Sequence, residues 1–240
     1  QLEQEGIVQD KADFLALCKS VAGFESVTSY LEERGERRYA LEGYLFPDTY
    51  KVYEGSTNSA IIQLMVNRFN EMLTSDDIER AEELEMSMDE VITMASLIEK
   101  EAKRADFTKV SAVFHNRLRG EMPLESDVTV KYVLGVSQIN LTREQLDTET
   151  PYNTHLNKGL PPGPICNPGI EAVRAALWPD EEYVAENYLY FALKDPGQGE
   201  LGFSKTYEEH QELGAQYKDL WQAYDEQAAN QAAATATAAT

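Results

Sequence analysis

Apolar positions recur along this chain mostly at helical spacing. Lys11 to Leu17, "KADFLAL", reads as a short amphipathic helix, and after a Gly/Ser break Val27 to Arg34 reads as a second. "YALEGYLFPDTYKVYEG" instead sets Tyr44, Phe46, Tyr50, Val52 and Tyr53 around Pro47-Asp48, which predicts strand, turn, strand. From Ser59 to Thr74 the helical period returns, with Ile61, Ile62, Met65, Val66, Phe69 and Met72 on one stripe. Polar text from Ser75 to Glu85 predicts a helix or linker between two halves. Ser87-Met88-Asp89-Glu90 has the form of a capping box, so the next helix starts near Met88.

That helix, "DEVITMASLIEKEAKR", is the most apolar of the chain, and "KVSAVFHNRL" predicts another, stopped at Gly120. "GLPPGPICNPG" holds four prolines and three glycines in eleven residues, which predicts an ordered or mobile surface loop. Helix resumes over Ile170 to Leu177. "YLYFAL" reads as a short buried strand, "GFSKTYEEHQELGAQYKDLWQAY" as a strand end and a helix, and "QAAATATAAT" as a low-complexity tail.

Over 240 residues the chain carries 21 Lys and Arg against 42 Asp and Glu, a formal net charge of −21. Such a surface repels phosphate backbones, and no basic cluster interrupts it, so nucleic acid is excluded as a partner. Hydrophobic content of 42% argues for a packed protein rather than a disordered one. Cys18 and Cys166 form no ligand spacing, His115, His155 and His210 are scattered, and neither a phosphate loop nor a nucleophile elbow is present. No stretch is apolar enough to span a membrane. The text at Gln1 reads as the interior of a domain, so a preceding segment is expected.

Carboxylates inside an apolar helix are unusual, which singles out Glu99-Lys100-Glu101. At 100° per residue Ala95, Ile98 and Ala102 lie near the centre of the apolar arc, and Glu99 and Glu101 fall on opposite flanks, about 160° apart. At most one of them is then catalytic, and periodicity does not choose between them. The plain alternative is a solvent-reaching Glu99 paired with Lys103. Asn116, Arg117, Ser126, Asp127 and Thr129 serve equally well as cap and turn residues.

Taken together, "EGYLFPDTY", "ASLIEKEA", "VFHNRLRGEMPLESDVT", "TPYNTHLNKGLPPGPICNPG" and "GFSKTYEEH", in this order from about Glu42 to His210, resemble the YceG-like family of endolytic murein transglycosylases (MltG). The resemblance implies an α+β fold: a small, partial LysM-like N-terminal domain over 1–84, a catalytic domain over 85–227 and a tail over 228–240. It implies Glu99 as the catalytic acid and base, with Glu101 a supporting neighbour. Asn116, Ser126, Asp127, Thr129, Tyr152, Asn153 and Thr154 would hold the glycan. No metal or cofactor is demanded. The partners implied are peptidoglycan glycan strands and cell-wall synthesis proteins, at the extracytoplasmic face behind an N-terminal membrane anchor. The sequence departs from the family pattern at His115 and at Val128, where Pro is common.

The implied reaction needs a protonated carboxyl near neutral pH, which burial beside Ile92, Ala95 and Ile98 would give Glu99. One carboxyl then suffices, because the substrate's C6 hydroxyl closes a 1,6-anhydro ring where a hydrolase would use water and a second carboxylate. Three other readings remain open: a muramidase-type hydrolase with Glu99 as acid and Asp127 or another carboxylate as base, a non-catalytic glycan-binding scaffold, and a cytoplasmic lyase acting on a chorismate-like substrate. The last lacks both a pyridoxal-phosphate lysine context and a phosphate loop.

Overall fold

The computed structural model describes residues 5–8, 10–27 and 29–238. The chain divides into two compact units, Gln1–Lys100 with Leu160–Trp178, and Glu101–Gly159 with Pro179–Thr240. The division falls inside the Glu-Lys-Glu triplet, between Lys100 and Glu101.

The first unit carries α1 (Lys11–Cys18), α2 (Asn58–Met72), α3 (Ser75–Glu83), α4 (Met88–Glu101) through Lys100, and α8 (Ile170–Leu177). Every residue of α4 from Val91 to Ile98 is buried, as expected of a helix that forms the middle of a core. Its start is the capping box read from sequence: Glu90 N–H donates to Ser87 Oγ at 3.2 Å, and Ser87 N–H donates to the Glu90 carboxylate at 3.0 Å. On α2, Ile61, Ile62, Val66 and Phe69 are buried as the stripe predicts, while Met65 and Met72 reach partly into solvent.

Two expectations fail in this unit. The aromatic segment 39–55 forms turns and irregular backbone, not a strand pair, and two of its amides find a side-chain partner outside any ladder. Gly43 N–H and Leu45 N–H donate to Asn167 Oδ1 at 2.8 and 3.2 Å. The Tyr44 hydroxyl donates to buried Asp89, and its ring meets Phe69 edge to face. Val27 to Arg34 likewise gives only a single 3-10 turn, Glu25–Val27, among the described residues. No strand occurs among the described residues of 1–84, which hold helices and turns.

The proline-rich segment is also not a surface loop: Pro161, Pro162, Gly163, Pro164 and Ile165 are all buried. Proline brings no N–H, so burying this run leaves few donors to satisfy. Ile165 N–H donates to Ser96 Oγ at 3.0 Å, which answers one of them. Gly43 is required where this segment crosses it. Its φ is +95°, and an added Cβ would lie 2.8 Å from Pro164 Cβ and 2.9 Å from Ile92 Cγ2. Gly43→Ala is therefore expected to lower the thermal midpoint, at a cost of about 2–3 kcal/mol from backbone strain and overpacking together. Cys18 and Cys166 both lie in this unit as free thiols.

The second unit carries α5 (Phe107–Arg119), α6 (Asp127–Leu134), α7 (Arg143–Leu146), α9 (Glu181–Ala185), β1 (Tyr190–Asp195), β2 (Glu200–Ser204) and α10 (Tyr207–Ala238). β1 and β2 form an antiparallel hairpin in which Tyr190 faces Ser204 and Phe191 faces Phe203. The strand is present where expected, but only Ala192 of it is fully buried. Helix α10 packs against this hairpin and runs on through the alanine-rich tail, consistent with alanine's helix propensity. Among the described residues no helix is long and apolar enough to cross a membrane.

Candidate active site

The second unit gathers several candidate residues around one carboxyl. The turn after α5 is shaped by Arg117, a buried residue whose Nη1 donates to Pro123 O at 2.9 Å, Leu124 O at 3.1 Å and the Glu125 carboxylate at 2.8 Å, while Nε donates to Leu189 O at 2.7 Å. Glu125, at φ +50°, turns the chain into α6. Val128 then falls in the first turn of α6, where proline is equally well tolerated, so the departure from the family pattern leaves this turn intact.

Ser126 is held from three sides. Its amide donates to Thr154 Oγ1 at 3.0 Å, the amide of Glu125 donates to Thr154 O at 3.0 Å, and Thr129 Oγ1 donates to Ser126 O at 2.7 Å. The Ser126 hydroxyl is thereby aimed at Glu101, the last residue of α4, and donates to its carboxylate. Burial pushes the Glu101 carboxyl up to about 7; the Ser126 hydroxyl opposes this, the Asp127 carboxylate adds to it, and Lys131 and His155 oppose it. Asp127 Oδ1 lies 3.0 Å from His155 Nε2, and both side chains reach solvent.

The sequence-predicted residues divide into three groups. Ser126 and Asp127 stand at the Glu101 carboxyl. Thr129, Asn153 and Thr154 are fully buried, and their polar atoms are spent on the frame; Asn153 Nδ2, for example, donates to Leu146 O and Thr148 O at 2.8 Å each. Tyr152 is buried with its ring beside that of Tyr132. Asn116 is buried elsewhere in the unit, where its amide donates to Tyr183 O at 3.0 Å and Tyr188 O at 2.9 Å. The polar atoms of Asn116, Thr129, Asn153 and Thr154 are thus engaged in hydrogen bonds within the unit. Glu99 belongs to the other unit. There it is half-buried and its Oε2 accepts the Gly169 amide at 3.2 Å, at the start of α8.

Two participants carry little signal in the sequence. Glu101 shares a helix with Glu99 and differs only in the flank it occupies, while His155 stands alone until the fold brings it to Asp127. Among the described residues no group of three or more His, Cys, Asp or Glu is arranged to hold a metal ion.

A carboxyl held above its unfolded value binds its proton more tightly in the folded state, so its contribution to stability is present at low pH and lost as pH rises through about 7. Glu101→Gln removes this loss. The variant is expected to melt at a higher temperature than the parent at pH 8, and the gap should close at pH 5, as calorimetry at the two pH values would read.

The profile of the YceG-like family matches residues 1–216. Over 182 residues the chain is 40% identical to an endolytic murein transglycosylase of Bacillus subtilis strain 168, covering 75% of this chain and 49% of the relative. An endolytic murein transglycosylase of Streptococcus pneumoniae is 31% identical over 216 residues, which is 87% of this chain and 38% of that protein. The crystal structure of a YceG-like protein from Listeria monocytogenes, 36% identical, superposes with a TM-score of 0.74 over 85% of this chain and 67% of the other. The chain spans about half the length of the first of these curated relatives and less of the second. With a match across so much of its length and a shared fold, the chain belongs to the YceG-like family.

Proposed function

We propose that the chain carries the catalytic centre of an endolytic lytic transglycosylase that cleaves the MurNAc–GlcNAc β-1,4 bond of peptidoglycan strands, with Glu101 as the single acid and base. The observation that carries this reading is the Glu101 carboxyl itself, half-buried, held by the Ser126 hydroxyl and poised near neutral pH. A general acid works best when its proton affinity lies close to the operating pH.

In the first step the protonated Glu101 donates to the glycosidic oxygen as the C1–O bond of the muramic residue breaks, leaving a cationic C1. The Glu101 carboxylate then takes the proton of the C6 hydroxyl while that oxygen bonds to C1 and closes the 1,6-anhydro ring. The Ser126 hydroxyl suits both states, since it donates to the carboxylate and can accept from the acid. Asp127, which reaches solvent beside Glu101, is the group placed to touch the sugar. Ser126 with Thr129, Asn153 and Thr154 fixes the site's shape. The substrate puts this activity at the extracytoplasmic face, with nascent glycan strands and the proteins that make them as partners.

The adjacent Asp127 also favours a specific second reading, a hydrolase in which that carboxylate activates water. Mass spectrometry of products from uncrosslinked strands separates the two. Anhydro ends from the parent, lost with Glu101→Gln, support the proposal; reducing ends favour the hydrolase. Absence of any product overturns both and leaves a binding module.

A further inference from the structure

Asp127 has a second partner that the reaction above does not use. It is the first residue of α6, one position after the serine that holds Glu101, and a helix start favours its negative charge. His155 meets it from the turn 150–157, whose shape is set by buried Asn153: the His155 amide donates to Asn153 Oδ1 at 2.9 Å, and His155 Nε2 lies 3.0 Å from Asp127 Oδ1. The imidazole is thus pinned at backbone and ring alike. The charged groups that act on the Glu101 carboxyl are Asp127 and Lys131 from α6 and His155 from this turn.

We propose that His155 is a positioning residue for the proposed acid–base group: by pairing with Asp127 it sets how strongly the Asp127 carboxylate acts on Glu101. Paired with the imidazole, the Asp127 carboxylate acts less strongly on Glu101, which then releases its proton more readily. Without that partner Asp127 acts in full, and Glu101 keeps its proton to higher pH. The His155–Asp127 pair and the Glu101 carboxyl therefore act as one electrostatic unit, in which the acid form of Glu101 persists where an isolated carboxyl would have lost it. This inference rests on the reading of Glu101 as acid and base, but its physical core is testable without substrate.

The test follows the Glu101 side-chain carboxyl by carbon-13 NMR in the whole chain, its signal identified by loss in Glu101→Gln. His155→Gln is expected to move the Glu101 midpoint up and Asp127→Asn to move it down, each on the order of 0.5 pH unit. In the Asp127→Asn background the effect of His155→Gln should shrink by at least half, because His155 acts through Asp127. The alkaline limb of the pH–rate profile should follow the same directions. An unmoved midpoint in His155→Gln, a downward one, or an equal shift in both backgrounds overturns the proposal. His155→Asn serves the same purpose should the glutamine variant fold poorly. Retained product in Glu101→Gln would sink the assignment of Glu101 as catalyst and leave the NMR result to decide the coupling by itself.

Discussion

Glu101→Gln is expected to cut the rate of anhydro-ended product formation by about 1,000-fold, within the range that loss of a general acid and base costs, while the variant stays folded. Both proton transfers run through this carboxyl, so neither can be rescued by the other. Glu99→Gln is expected to keep activity within about tenfold of the parent, because a glutamine oxygen can still accept the Gly169 amide that Glu99 holds at 3.2 Å. The pair of variants decides between the two flanks of α4. Should Glu99→Gln prove the dead variant and Glu101→Gln the active one, the role implied by family resemblance stands and the geometric argument from burial and Ser126 is wrong. The parent's rate should also fall as pH rises past about 7, the value to which burial lifts Glu101. That limb reports the free protein when read on kcat/KM.

The elements that sequence reveals best are those whose determinants are local. The capping box at Ser87 and Glu90 needs only residues three apart, and α8 over Ile170–Leu177 is delimited by its own apolar run. The stripe on α2 is legible for the same reason. Where the partner is distant, local text misleads. Aromatic alternation around Pro47 looks like a hairpin, yet its amides are taken by Asn167 and its Tyr44 by Asp89, neither of which any nearby pattern announces. The proline-rich segment shows only turn chemistry in sequence, and its burial follows from the scarcity of N–H groups it brings. The site behaves in the same way. Ser126 and Asp127 could be named from the turn that contains them, but whether a buried threonine or asparagine faces a ligand or braces a loop depends on which carbonyls stand opposite. Glu99 and Glu101 are symmetric in a helical projection. Their difference lies in what each meets, an amide at the start of α8 or a serine hydroxyl beside an aspartate–histidine pair.

Asp89→Asn is expected to be among the most destabilising single changes in the first unit, at about 3–5 kcal/mol, a large part of the stability of an ordinary domain. Asp89 is fully buried on the first turn of α4 and accepts from three donors: Arg34 Nη2 at 2.8 Å, the Arg37 guanidinium and the Tyr44 hydroxyl. The same Arg34 nitrogen also reaches Thr93 Oγ1 at 2.8 Å, so the carboxylate ties residues 34–44 to the central helix. Asparagine keeps the shape and one acceptor oxygen but removes the charge that balances two largely buried guanidinium groups. Their desolvation is then uncompensated, which is costlier than the loss of the hydrogen bonds themselves. Tyr44→Phe, by contrast, deletes one donor and leaves both arginines paired, and should cost only about 1 kcal/mol. Urea unfolding followed by circular dichroism reads the difference as a large drop in midpoint for Asp89→Asn and a small one for Tyr44→Phe, with slopes unchanged. Equal drops in the two variants would mean that the hydroxyl, not the charge balance, holds this segment to α4.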